Sequence, residues 1–307
     1  MRHAKNAAAW LRLTFNNPDT FILTMGTIAQ NRYSWDVAYD WKHQGSEWSK
    51  EWGGVEMQWH ASILPRIHAF VPARCILEIG PGFGRWTHFL KDLCDRLIIV
   101  DLSEKCIRAC QHRFNHCSHI SYHINDGLSL DAAVDGSVDF VFSFDSLVHV
   151  EMDVIESYLR QLAAKLTPNG VGFIHHSNLG EYAAYFSWLK KIPKGKIRNA
   201  LSKLRIIERK SHWRAFSMSA ERFDRIACGA GLQCISQEVV NWKTSPKRLI
   251  DCLSVFTRKG SIWERPIQRI RNDGFMREAA YLSKLSRLYG SGFSKKNGQS
   301  EASQDPK

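Results

Sequence analysis

The run Ile76-Leu77-Glu78-Ile79-Gly80-Pro81-Gly82-Phe83-Gly84 carries an apolar strand pattern into a glycine turn and then into a helix. Glycines at such a junction let the backbone approach a bound molecule where any Cβ would collide with it. A dinucleotide fingerprint starting at Gly80 calls for glycine at position 85, and Arg85 stands there instead. Downstream, Leu97-Ile98-Ile99-Val100 end in Asp101, 23 residues after Glu78, and Leu102 follows. A carboxylate at the end of that second strand can accept both hydroxyls of a ribose. Asn125-Asp126-Gly127 closes a third strand pattern, and Phe144-Asp145 a fourth. For any single aspartate at a strand end, a turn or helix cap is the ordinary role. Three in register behind a glycine turn favour a nucleotide-like cofactor held by Glu78, Gly80, Pro81, Gly82, Asp101, Leu102, Asp126, Gly127 and Phe144.

A second set of residues follows strands four and five, above that site: Asp145, His149, His175, His176 and Asn178. Removing a proton from an alcohol needs a base, and histidine titrates nearest to working pH. His149, His176 and Asp145 are therefore the catalytic candidates. Strand alternation sends His175 and His176 to opposite faces, so one of the two reaches the cleft. Asp145 with Asn178 echoes a magnesium site, but histidine is a poor magnesium ligand and no second aspartate is adjacent. Cys106, Cys110, His112, His116, Cys117 and His119 lie along one predicted helix and its end rather than meeting across a turn. No metal is expected.

The elements that must position these groups alternate. Strand patterns at Cys75–Ile79, Arg96–Asp101, Ile120–Ile124, Val138–Phe144 and Gly170–His176 are separated by helical ones at Arg85–Cys94, Ser103–His116 and Met152–Leu166. Such alternation predicts an α/β, Rossmann-like, mostly parallel sheet of seven strands with helices on both faces. Ser219 reads as the N-cap of a helix running through Cys228, and Gly229 and Gly231 end it. Strands at Gln233–Val240 and Cys252–Arg258 would form a terminal antiparallel hairpin. The expected organisation is a Trp-rich extension over 1–59, the α/β domain over 60–258, a C-terminal helix within 259–289 and a disordered tail over 290–307. Trp35, Trp41, Trp48, Trp52 and Trp59 mark no repeat, and the stretch serves either as a wrap on the core or as an aromatic wall for an acceptor.

Of 307 residues 44% are apolar and 23% charged, enough to bury a core. The apolar runs are too short to cross a membrane, and no secretory signal pattern opens the chain, so a cytoplasmic protein is expected. The eight cysteines form no CxxC pair and read as buried thiols. The net charge of +12 is concentrated: residues 189–214 hold ten Lys/Arg against one Glu, and 258–307 hold eleven against five acids. The first of these lies in an insert over 180–218. It reads as a lid using Tyr182, Tyr185, Phe186 and Trp188, or as a peripheral contact with anionic membrane.

The glycine turn, Glu78 and the strand-end acids together resemble the class I S-adenosylmethionine-dependent methyltransferase superfamily, over about two-thirds of the chain. The resemblance implies S-adenosyl-L-methionine as cofactor, with Glu78 near its amino-acid end and an acid after strand three on its adenine. Gly53-Gly54-Val55-Glu56 with Trp59, Ser143–Val150 and Phe173–Asn178 are similar to bacterial sugar O-methyltransferases of surface-polysaccharide pathways. That implies a sugar or glycan acceptor, free or lipid-linked. The chain shows neither an added RNA-binding module nor an Asn-Pro-Pro-Tyr-type base site, so nucleic acid is not the expected acceptor. Small-molecule O- or N-methylation, and cofactor binding without turnover, stand as alternatives.

Overall fold

The computed structural model describes residues 26–193, 195, 207, 214–242 and 247–290. Eight strands form one sheet: β1 Ala73–Ile79, β2 Cys94–Asp101, β3 Ile120–Ile124, β4 Val138–Ser143, β5 Leu166–Ser177, β6 Leu232–Val240, β7 Asp251–Arg258 and β8 Gln268–Asn272. Their order is β3-β2-β1-β4-β5-β7-β6-β8. Strands β1 to β5 pair in parallel, and β7 runs antiparallel to both β5 and β6. The helices are α1 Ile28–Tyr33, α2 Val55–Gln58, α3 Leu64–Ile67, α4 Thr87–Leu90, α5 Glu104–Arg113, α6 Met152–Lys165, α7 Ala183–Lys191, α8 Ala220–Gly229 and α9 Phe275–Gly290.

The middles of β1, β2 and β4 are continuous apolar runs, Ile76–Leu77, Leu97–Val100 and Phe140–Phe142, because both sheet faces are covered. Along β1, β2 and β4, alternate side chains enter two separate cores. Ile76, Leu97, Ile99, Phe140 and Phe142 join one, with Trp59, Ile63, Ile67 and Phe275 against them. Leu77, Ile98, Val100 and Val141 join the other, packed beneath α6 and α8 through Ile155, Leu159, Leu162 and Phe223. Ser219 caps α8 as the sequence predicts, its side chain accepting from the Arg222 amide.

Ahead of β1 the chain is helical from Val55 to Ile67, with a π-helical turn at Trp59–Ile63 between α2 and α3. The segment 259–289, expected to hold a C-terminal helix, carries β8 ahead of it, parallel to β6 from Ser236–Gln268 to Val240–Asn272. β8 adds an eighth strand and carries the sheet past Arg258. The Asn272-Asp273-Gly274 turn then sets off α9, and Asn241 fixes it by donating to the Asp273 carbonyl and accepting from the Met276 amide. Residues 1–25, residues 194, 196–206 and 208–213 of the basic insert, and the tail beyond Gly290 lie outside the described residues.

Candidate active site

The strands end on one side, and there the glycine turn opens two adjoining clefts that share Trp35, Gly80, Asp101 and Ser146. Gly80, Gly82 and Gly84 all have positive φ, at 74°, 57° and 80°. A Cβ on Gly80 would stand 1.9 Å from Ser146 Oγ, and one on Gly82 would stand 2.9 Å from the Trp41 ring. The turn is therefore a cradle that only glycine can line. Pro81 and Phe144 line the first cleft, and Leu102, Asn125 and Gly127 the second.

Asp101 faces both clefts. Its Oδ2 accepts from the Gly82 amide at 3.1 Å and its Oδ1 from the Ser103 amide at 2.8 Å. Burial pushes the carboxyl up to about 6, against the pull of those amides. An ionised Asp101 is the form that accepts ribose hydroxyls, and below that pKa a proton occupies the same oxygens. Cofactor affinity should accordingly hold above pH ~6 and fall about tenfold for each unit below it. Asp101→Asn should bind weakly at every pH. Calorimetry across the acid range checks this, and a flat profile in the unaltered protein would refute the ribose contact.

Glu78 is fully buried at the end of β1, where desolvation raises its carboxyl to about 8. Thr87 Oγ1 donates to its Oε2 at 2.6 Å, while Oε1 meets no donor among the described residues. It backs the turn and does not line either cleft. Asp126 departs from the expectation. Its side chain is exposed, and its Oδ1 accepts from the Leu128 and Ser129 amides at 2.8 and 2.7 Å. It caps the turn after β3, whereas Asn125 and Gly127 on either side of it line the cleft. The alternation that places Asn125 inward turns its neighbour to solvent.

A cavity of about 240 Å³ adjoins the clefts, lined by Trp35, Tyr39, Glu47, Trp48, Glu51, Trp52, Asp145, His149, Arg214, Trp242 and Met276. His149 lines both this cavity and the second cleft, with its ring 5.4 Å from that of Trp35. The Asn31 amide donates to its carbonyl, fixing the turn after β4. Asp145 takes a left-handed backbone at φ 62°, uncommon for a non-glycine residue and typical of functional turns. Its carboxylate meets Arg85 at 3.1 Å and Arg214 at 3.8 Å. Arg214 in turn grips Asp251 at 2.7 and 3.0 Å. That guanidinium, together with His175, holds the buried Asp251 carboxyl well below the ordinary aspartate range.

His175 and His176 do point to opposite faces. The Asp145 amide donates to His175 Nδ1 at 3.2 Å, which leaves the proton on Nε2, 3.5 Å from Asp251. His176 is the one turned away. Its ring stacks on Phe223 at 4.2 Å, and Nε2 pairs with Ser254 Oγ at 2.8 Å in the core behind the sheet. Burial drives its pKa down to about 4, so it stays neutral. His176 thus belongs to the packing and not to the cleft, correcting the sequence reading. His176→Ala should cost about 2 to 4 kcal/mol of stability and leave cofactor affinity unchanged, as thermal unfolding and calorimetry would register.

Asn178 is committed as well, donating to the Leu249 carbonyl and accepting from the Ala220 amide. Among the described residues no group of three His, Cys, Asp or Glu side chains is placed to hold a metal ion. Tyr182, Tyr185, Phe186 and Trp188 line neither cleft nor cavity; Phe186 and Leu189 pack instead with Ile207 and Ile250. Sequence reasoning missed Arg85, Arg214, Asp251, Glu47 and Glu51. An acid inside the apolar run Leu249–Val255 was a readable signal for Asp251. Arg214, one of ten basic residues in its segment, gave none.

A parallel sheet with a glycine cradle and a strand-end carboxylate, closed by an antiparallel β7, defines a cofactor-binding α/β domain. Residues 76–170 match the family described as a methyltransferase domain. Nodulation protein S of Bradyrhizobium diazoefficiens is 28% identical over 129 residues, covering 40% of this chain and 58% of that protein. Ribosomal RNA small subunit methyltransferase A of Coxiella burnetii is 25% identical over 126 residues, covering 36% of this chain and 48% of that protein. The chain thus spans about half the length of the curated relatives it matches. Among solved structures, the N-methyltransferase NodS from Bradyrhizobium japonicum, in complex with S-adenosyl-L-homocysteine, has a TM-score of 0.46 at 18% identity. That alignment covers 67% of this chain and 88% of that one. Residues 76–170 thus form a methyltransferase domain, and S-adenosylmethionine is its cofactor. The glycine cradle and the inward Asp101 fit that molecule.

Proposed function

We propose that the whole protein transfers a methyl group to a sugar hydroxyl of a surface polysaccharide or glycan, bound in the cavity beside the cofactor clefts. The observation that carries this reading is His149, which lines both compartments. S-adenosylmethionine supplies the methyl group from its sulfonium. The cradle at Gly80–Gly82 and the Asp101 carboxylate hold the cofactor. Trp35, shared by all three spaces, excludes water between them. His149 takes the hydroxyl proton. Arg85 and Arg214 anchor the Asp145 carboxylate in the cavity wall, where it can orient a second hydroxyl.

The cavity supports a ring-sized acceptor. Its volume lies below the ~300–1,000 Å³ usual for drug-sized ligands, so one terminal unit enters and the rest of a chain stays outside. Four tryptophans and a tyrosine offer faces for the C–H surface of a sugar ring, and the charged groups between them suit its hydroxyls. Contact of the basic segment 189–214 with anionic membrane would bring the enzyme to a lipid-linked acceptor, and flotation with anionic vesicles at low salt tests this. No described helix is long and apolar enough to cross a membrane. The decisive experiment compares surface glycans with and without the gene by mass spectrometry. Loss of an O-methyl sugar supports the reading, and identical glycans would defeat it.

A further inference from the structure

We infer that His175 is a positioning residue for the cofactor, holding the turn after β4 by accepting the Asp145 amide, while Asp251 fixes which ring nitrogen carries the proton. The pairing of β4 with β5 ends at Ser143–Ile174. Beyond it, backbone amides must find acceptors outside the ladder. Asp145 has a left-handed backbone at φ 62°, a conformation that persists only when its surroundings hold it. The His175 side chain takes over where the ladder stops, and the Asp145 amide donates to its Nδ1 at 3.2 Å.

That one turn serves all three spaces of the site. Phe144, Asp145 and Ser146 line the first cleft, Ser146 and His149 the second, and Asp145 and His149 the cavity. The His149 amide closes back on the Ser146 carbonyl at 3.3 Å, so the geometry set at Asp145 carries through to His149. His175 itself is fully buried and lines none of these spaces. Its ring packs against Phe144 and Trp242, with centroids 4.7 and 5.2 Å away. Its Nε2 stands 3.5 Å from Asp251 Oδ2, on a carboxylate that Arg214 also holds. A neutral imidazole donates from one nitrogen and accepts at the other. A carboxylate at Nε2 keeps the proton there and leaves Nδ1 to accept. Both residues therefore act on the cofactor through the turn and touch nothing that reacts.

Calorimetry with S-adenosyl-L-homocysteine on the full chain tests the inference through two replacements. In His175→Asn the side-chain oxygen falls where Nδ1 stood and can still accept. In His175→Phe the bulk of the ring is kept and no acceptor remains. The phenylalanine variant should bind about tenfold more weakly than the unaltered protein, and the asparagine variant within about threefold of it. Packing alone predicts the reverse order, because asparagine leaves more of the buried space empty. Equal affinities in the two variants, or weaker binding by the asparagine one, would overturn the inference. Nitrogen-15 spectra of the histidine-labelled unaltered chain give a second reading that does not depend on how either variant folds. The His175 signal, assigned through its backbone, should be that of the Nε2–H tautomer. A proton found on Nδ1 would remove the acceptor, and the inference with it.

Discussion

Gly80→Val should abolish S-adenosylmethionine binding, lowering affinity by at least about a hundredfold. Two effects act together. A φ of 74° costs a non-glycine residue roughly 1–2 kcal/mol. The new side chain would also overlap Ser146, whose Oγ and Cβ lie 1.9 and 2.6 Å from the Cβ position. Relief requires the turn or the Phe144–Ser146 segment to move, and both line the first cleft. Calorimetry measures the loss, and circular dichroism confirms that the sheet persists. Gly80→Ala combined with Ser146→Gly, which removes the clash but keeps the backbone strain, should recover much of the affinity. Tight binding by the valine variant would show that the cofactor does not use this cradle.

The second large effect concerns His149. Its replacement by alanine should lower kcat by about a hundredfold or more and leave cofactor affinity within about twofold. The side chain lies between the two compartments, whereas its backbone carbonyl, not its ring, receives the Asn31 amide. Truncating the ring therefore leaves that hydrogen bond in place. Steady-state kinetics with an identified acceptor decides the matter. An unchanged kcat would mean that the acceptor needs no base at this position.

β1 and β2 and the cofactor turn were legible because burial on both faces leaves continuous apolar runs, ended by Gly80 in the one and Asp101 in the other. The same rule did not say which way each end residue faces. Asp101 turns inward and Asp126 caps a turn, yet both follow apolar strands. Alternation correctly separated His175 from His176, but it did not tell which face held the cleft. That depends on β7 and Asp251, paired from far along the chain. The acceptor wall was less legible still. Its aromatics and acids come from a 3₁₀ turn over Ser46–Trp52, a π-helical turn over Ser34–Ala38 and loops, too short or irregular for a period to be read. Arg85, noted only as a departure from a glycine motif, proves to anchor Asp145 and to sit over Trp86 and Trp48.

Helix α9 meets the turn bearing Trp48 and Glu51 so closely that a Cβ on Gly53 would stand 2.6 Å from Ser286 Cβ, and Ser286 Oγ bonds the Gly53 carbonyl. The two extensions flanking the α/β domain therefore close on each other as a clasp beside the cavity, whose remaining wall, Asp145, His149 and Trp242, follows the strand ends. Grafting one extension without its counterpart would transplant half a lock.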